Sequence, residues 1–136
     1  MKQKIKLLQI IHLALCAGVI IAYVIIHNIN PILDIFNFSE ISSEDYFYIA
    51  IPVIAFVISN TIYKLILKTG NKNAAEDFNF HVFQFASIAR WSILEGSAFI
   101  ILFLKPKFIL FGILIVIYLI LLRPTEERFK NDINLL

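Results

Sequence analysis

Charge is what this chain has least of. Only 16% of its 136 residues are charged, 60% are hydrophobic, and there are just four glycines. A soluble chain of this length could not hide so much apolar surface, so lipid must cover part of it. The net charge of +2 is too small to argue for nucleic acid as a partner. Cysteine is nearly absent. The single Cys16 excludes an internal disulfide and says little about redox compartment. No Ser–His–Asp arrangement, phosphate loop or catalytic carboxylate pair stands out, so nothing points to an enzyme. No His/Cys cluster has zinc-ligand spacing. His12, His27 and His81 offer no pair at matched depth on two facing helices, so a haem is not expected either. The chain is expected to carry no cofactor.

Long apolar runs are what the sequence has in quantity. Four segments are candidates to cross a bilayer: residues 6–26, 46–67, 80–104 and 108–122, followed by a tail, 123–136. The last span, at 15 residues, falls below the usual ~17–25, but Lys105, Lys107 and Arg123 flank it and can snorkel to the interfaces. Nothing alternates as a barrel strand would, and lipid satisfies no backbone N–H or C=O group, so the spans must be helices. The fold expected is all-α: one domain over residues 1–136, a four-helix transmembrane bundle. "MKQKIK" resembles the start of a signal peptide, yet the apolar run Leu7–Ile26 is too long for one and matches a full span. "LALC" resembles a lipoprotein box, but Leu15 is too large before the cysteine, so lipidation is not expected.

The loops predict the topology. Lys2, Lys4 and Lys6 precede the first span. Lys64, Lys68 and Lys72 surround the second connection, and Arg123, Arg128 and Lys130 follow the fourth span. Nine of the twelve basic residues thus fall on one side, which is expected to be cytoplasmic, with both termini there. The first loop has no Lys or Arg but carries Asp34, Glu40, Glu44 and Asp45. Ser42 with Asp45 reads as a cap before the second helix, Gly70 as its C-cap, and Asn73 with Glu76 as the cap of the third. Pro106 suits the first turn of the fourth helix. Phe129, Ile133 and Leu136, at i, i+4 and i+7, predict a short amphipathic helix on the membrane surface or a frayed tail. Pro52 is expected to kink the second helix. No internal repeat supports an inverted-repeat transporter.

Polar residues inside the spans carry the functional question. At about 100° per residue, Gln9, His12, Cys16, Tyr23 and His27 share one stripe of the first helix. Such a stripe faces protein or water, not lipid. "ARWSILEGSAF" puts Arg90 and Glu95 in the third span, about 140° apart, so they do not pair along one helix face. Arg90 is expected roughly 9 Å from the cytoplasmic interface and Glu95 roughly 16 Å, near the midplane. His12, Asn60 and Tyr118 come to Arg90's layer, with Cys16 level with Glu95. A lone charge at that depth costs roughly 2.5–3.5 kcal/mol, so neither is expected to face lipid.

The pieces "IARWSILEG" and "LLRPT" resemble a group of small four-span membrane proteins of Bacteroidota; the second half of the chain carries the resemblance best. It implies a bacterial inner-membrane location and marks Arg90, Glu95, Gly96, Arg123 and Pro124, but supplies no activity. Glu95-Gly96-Ser97-Ala98 is similar, in chemistry only, to the proton-binding helix of rotary-ATPase proteolipids, whose glycine-rich partner helix is missing here.

Two functions fit these residues. In the first, a small channel or transporter moves protons, ions or a small solute, with Glu95 titrating, Arg90 tuning it and His12 as relay. In the second, the chain is an accessory or scaffold protein whose buried charges only specify helix pairing. The partners expected are the bilayer and a second copy of the chain or another membrane protein.

Overall fold

A computed structural model of the protein describes residues 1–26, 43–104 and 106–134, without the side chain of Glu44. These residues are all-helical, with no strand among them: α1 (Lys2–Ile26), α2 (Tyr46–Leu67), α3 (Glu76–Leu104), α4 (Ile109–Leu121) and α5 (Glu126–Asn134). Single 3-10 turns, Ser43–Asp45 and Pro106–Phe108, lead into α2 and α4. His27, Asp34, Glu40, Ser42, Lys105 and Leu136 lie outside the described residues.

Three helices, α1, α2 and α3, are long and apolar enough to cross a membrane. At ~1.5 Å per residue they run about 37, 33 and 43 Å, against a hydrocarbon core of about 30 Å. α4 has only 13 residues, and the chain bends by 86° between it and α5, so a fourth span counts only if this bent pair is one. The outward faces are strongly apolar. Ile25 is 71% exposed, Leu13 69% and Val53 66%, and water would not tolerate such belts.

Sequence spacing explains which faces turn inward. α1 buries Ile5, Leu8, His12, Cys16, Val19 and Tyr23, at steps of three and four that keep one side of a helix together. α2 buries Ile51, Ala55, Ser59, Tyr63 and Leu67, every fourth residue. α3 and α4 pack on each other, and each also touches both α1 and α2. α1 and α2 therefore flank the α3–α4 pair from opposite sides, and the middle of the bundle is filled by α3–α4 packing. α3, with neighbours on both flanks, buries a wider face, including Phe83, Trp91, Leu94, Ala98 and Ile101.

Contacts gather the basic segments at one end. The Lys4 ammonium lies 2.7 Å from the Asp77 carboxylate and holds its pKa below the usual range, first by hydrogen bonding and then by charge. Lys130 does the same for Glu126 one helical turn away, at 3.1 Å. Lys107 and Asp45, 3.6 Å apart, mark the opposite end.

Several local expectations need correcting. Asp45 makes no side-chain cap to α2; its buried carboxylate turns to Lys107 instead. Gly70 keeps an ordinary φ, because α2 ends in tight turn bonds, Thr69 N–H to Ile66 O and Gly70 N–H to Leu67 O, that need no left-handed residue. The turn before α3 is held by Asn71 and Asn79 rather than by Asn73 and Glu76. The buried Asn79 amide donates to Asn71 O and accepts from Asn71 N–H, at 2.8 and 3.0 Å. The tail forms its amphipathic helix, but Phe129 sits in the core between Phe80 and Phe83, ring centres 5.8 and 5.4 Å away. The aromatic pocket on α3 takes the apolar face that a membrane surface would otherwise have received.

Candidate functional site

The polar side chains within the spans form two separate groups, not one layer. The first joins α1 to α3 and α4. His12 is buried, its ring 4.7 Å from that of Trp91. Its Nε2 lies 2.9 Å from Leu119 O. A carbonyl can only accept, so Nε2 carries the hydrogen. Cys16 Sγ, 3.7 Å from the same nitrogen, can then only accept from it. One turn earlier the Gln9 amide donates to Pro124 O at 2.8 Å. Pro124 is a useful acceptor because the chain has left α4 there and its carbonyl has no helical donor. Beside this group runs a groove of about 540 Å³, with Lys6 and Arg123 at its mouth, Ile10, Leu13 and Ile120 on its walls, and His12 and Cys16 at its base.

Further along α1, the Tyr23 hydroxyl donates to Ala98 O of α3 at 2.6 Å. The phenol fits only because residue 112 of α4 has no side chain. A β-carbon on Gly112 would sit 1.9 Å from Tyr23 Oη. Tyr23 and Gly112 thus lock three helices together.

The second group lies on the other flank, between α2, α3, α4 and α5. Asn60 and Tyr118 exchange hydrogen bonds, Asn60 Nδ2 to Tyr118 Oη at 2.9 Å and Tyr118 Oη to Asn60 Oδ1 at 3.1 Å. The amide supplies the hydrogen of the first bond and the hydroxyl that of the second, so the phenol both accepts from and donates to the same amide. The Arg90 guanidinium stacks on the Tyr63 ring, 4.5 Å from its centre, and reaches Tyr118 Oη with Nη2 at 3.5 Å. Its Nε is buried and has no hydrogen-bond partner among the described residues. Tyr63 donates a hydrogen bond to the Asp132 carboxylate of α5. A groove of about 380 Å³ opens here, lined by Asn60, Tyr63, Lys64, Lys68, Arg90 and Asp132.

The magnitudes leave Arg90 short. Burying a lone charge costs roughly 2.5–3.5 kcal/mol, whereas a desolvated cation–π contact returns about 2. The bond to Tyr118 is at the limit of hydrogen-bonding distance and adds little. Among the described residues no carboxylate comes within ion-pairing distance of the guanidinium.

Glu95 belongs to neither group. It is half-buried on α3, and no hydrogen bond or ion pair reaches it among the described residues. Ser92 and Gly96 beside it are exposed, and a β-carbon built on Gly96 meets nothing within 4 Å. Of the six residues singled out from the sequence, Asn60, Arg90 and Tyr118 therefore come together, His12 and Cys16 come together elsewhere, and Glu95 bonds to neither group, although it is near enough to Cys16 for its charge to be felt there.

Sequence reasoning missed Asp132, Gly112 and the His12–Trp91 contact. Asp132 falls three residues after Phe129, on the face that docks, so its position was a signal. Gly112 is the one glycine within the fourth span, and an isolated glycine in a helix marks a close approach. Trp91 gave no signal that would tell a histidine contact from ordinary packing.

No group of three His, Cys, Asp or Glu side chains able to hold a metal occurs among the described residues. Compared with protein-family models, curated proteins and solved structures, the chain matches none.

Proposed function

We propose that this protein is an accessory or scaffold subunit of a membrane assembly, with a four-helix transmembrane fold in which α4 completes the fourth span. The observation that carries this reading is the contrast between Glu95 and the other polar groups of the spans. His12, Tyr23, Asn60, Tyr118 and Ser97 all hydrogen-bond within the chain. Ser97 bonds within α3 itself, whereas the bonds of His12, Tyr23, Asn60 and Tyr118 cross between helices and specify which pair, which is what a scaffold requires. Glu95, like the Nε of Arg90, has no hydrogen-bond partner among the described residues, and it sits on a flank where Ser92 and Gly96 let another helix approach closely. The simplest partner is a second copy of α3 across a two-fold axis, which gives each Glu95 a neighbour in a protein interface in place of lipid.

Conduction of protons or ions is the rival. It needs His12, Arg90 and Glu95 to communicate, yet His12 leaves α1 toward Trp91 and Leu119, while Arg90 leaves α3 toward Tyr63 and Tyr118 on the opposite flank. The basic end of the bundle supports a cytoplasmic side carrying the amino terminus and α5, and only the sequence resemblance of the second half supports a bacterial inner membrane of Bacteroidota.

The decisive comparison uses Gly96→Leu and Glu95→Gln. In mild detergent the native protein is expected to associate, as a dimer or with a partner, and Gly96→Leu is expected to reduce this at least tenfold while helical content and Trp91 emission stay native. Proton flux in proteoliposomes that Glu95→Gln abolishes would instead sink the scaffold reading in favour of conduction.

A further inference from the structure

We infer that the groove between α2, α3 and α5 is a binding site for a phosphate-bearing anion, with Arg90 at its base and Lys64 and Lys68 at its rim. The inference is independent of the role proposed for Glu95, which lies outside this group.

Three cations line the groove, and one carboxylate faces them. That carboxylate, Asp132, already accepts the Tyr63 hydroxyl. The formal charge left over is +2. Lys64 and Lys68 are exposed and have no ion-pair partner among the described residues. Arg90 is held from behind: its flat face lies on Tyr63, and one amine reaches Tyr118. Among the described residues its remaining N–H groups, including the buried Nε, meet no acceptor.

The missing acceptor can be described by its chemistry. A guanidinium edge presents parallel N–H donors at fixed spacing, which suit two oxygens on one atom, as in a carboxylate or phosphate. Two lysine ammoniums nearby act as point charges and favour the group with more charge and more oxygens, the phosphate. Asn60 lines the same wall, but its amide hydrogens are engaged by Phe56 O and Tyr118 Oη, so the cations alone supply the donors. The wall also includes the buried Leu67, and the exposed apolar face of α2, with Val57 and Leu65, continues alongside. Headgroup and acyl chains of an anionic phospholipid would thus both find their own surroundings. A free phosphate would use the same donors without the apolar wall.

The full-length protein in mild detergent is the material to test. Native mass spectrometry compares retention of phosphatidylglycerol with that of phosphatidylcholine, and a thermal shift compares added inorganic phosphate with added chloride at equal ionic strength. Lys64→Gln with Lys68→Gln changes only exposed side chains at the end of α2. Near a membrane surface each basic residue is worth about fivefold in affinity for anionic lipid, so the pair should weaken phosphatidylglycerol retention roughly 30-fold. Arg90→Lys keeps the charge without the parallel donors and is expected to weaken it further. Lipid retention sensitive to these substitutions assigns the site to a headgroup. Stabilisation by inorganic phosphate, with no lipid preference and with the same sensitivity, assigns it to the free anion. If Arg90→Lys does not fold, the lysine pair carries the test unaided. No preference for either ligand, or a preference that the lysine substitutions leave intact, overturns the inference.

Discussion

The substitution Gly112→Ala tests the packing that joins α1 to α3 and α4. The added methyl would lie 1.9 Å from Tyr23 Oη and 2.8 Å from Cζ. The tyrosine ring is rigid and 7% exposed, so it cannot step aside without moving α1. Overpacking of a filled interior costs about 1–3 kcal/mol. Displacing the phenol also breaks its bond to Ala98 O, worth about 0.6–1.7 kcal/mol in a membrane setting. Replacing a helical glycine by alanine gives back about 0.8–1.0 kcal/mol. The net expectation is a loss of about 2 kcal/mol. Gly18 supplies the control, since a β-carbon there meets nothing within 4 Å. Gly18→Ala should be neutral or slightly stabilising. The assay is reversible unfolding in mixed micelles, followed by fluorescence of Trp91, the sole tryptophan and 1% exposed. Tyr23→Phe removes the atom in closest conflict, so Gly112→Ala should cost at least about 1 kcal/mol less in that background than in the native one. Equal stability of the Gly112 and Gly18 variants, or strict additivity with Tyr23→Phe, would refute the proposed lock.

Two further outcomes follow from the basic end of the bundle. Phe129→Ala empties the space between Phe80 and Phe83; buried Phe→Ala changes cost about 3–5 kcal/mol, more than a nine-residue helix can easily absorb. α5 should undock, seen as fast protease cleavage near residues 123–126 while α1 to α3 stay protected; unchanged cleavage would mean that the aromatic contact does not hold the tail. At the Lys4–Asp77 pair, the folded-state pKa of Asp77 is depressed, so its contribution is present above the unfolded pKa and is lost as pH falls through the folded value. Lys4→Gln should therefore raise the midpoint of the Asp77 carboxyl carbon resonance, and salt should narrow the difference between variant and native protein; coincident titrations would show that the pair is not formed in solution.

The apolar runs and their lengths were legible without coordinates, because lipid imposes a demand that composition and length alone express. The same is true of the inward face of α1. Ile5, Leu8, His12, Cys16, Val19 and Tyr23 follow a period that one helix fixes for itself. The clustering of basic residues at one end was likewise readable as a count along the chain. Partners across helices were not. A periodicity says which side of a helix is polar but not which neighbour it meets, so His12 and Arg90 could be given one depth and still belong to opposite flanks of α3. The tail was ambiguous for the same reason: its amphipathic face would suit lipid or protein, and only the pocket formed by Phe80 and Phe83 decided between them. Glu95 carries the contrast furthest. Its place in an apolar helix is written in the chain, whereas its lack of a hydrogen-bond or ion-pair partner among the described residues depends on how four helices, far apart in sequence, divide the space around it.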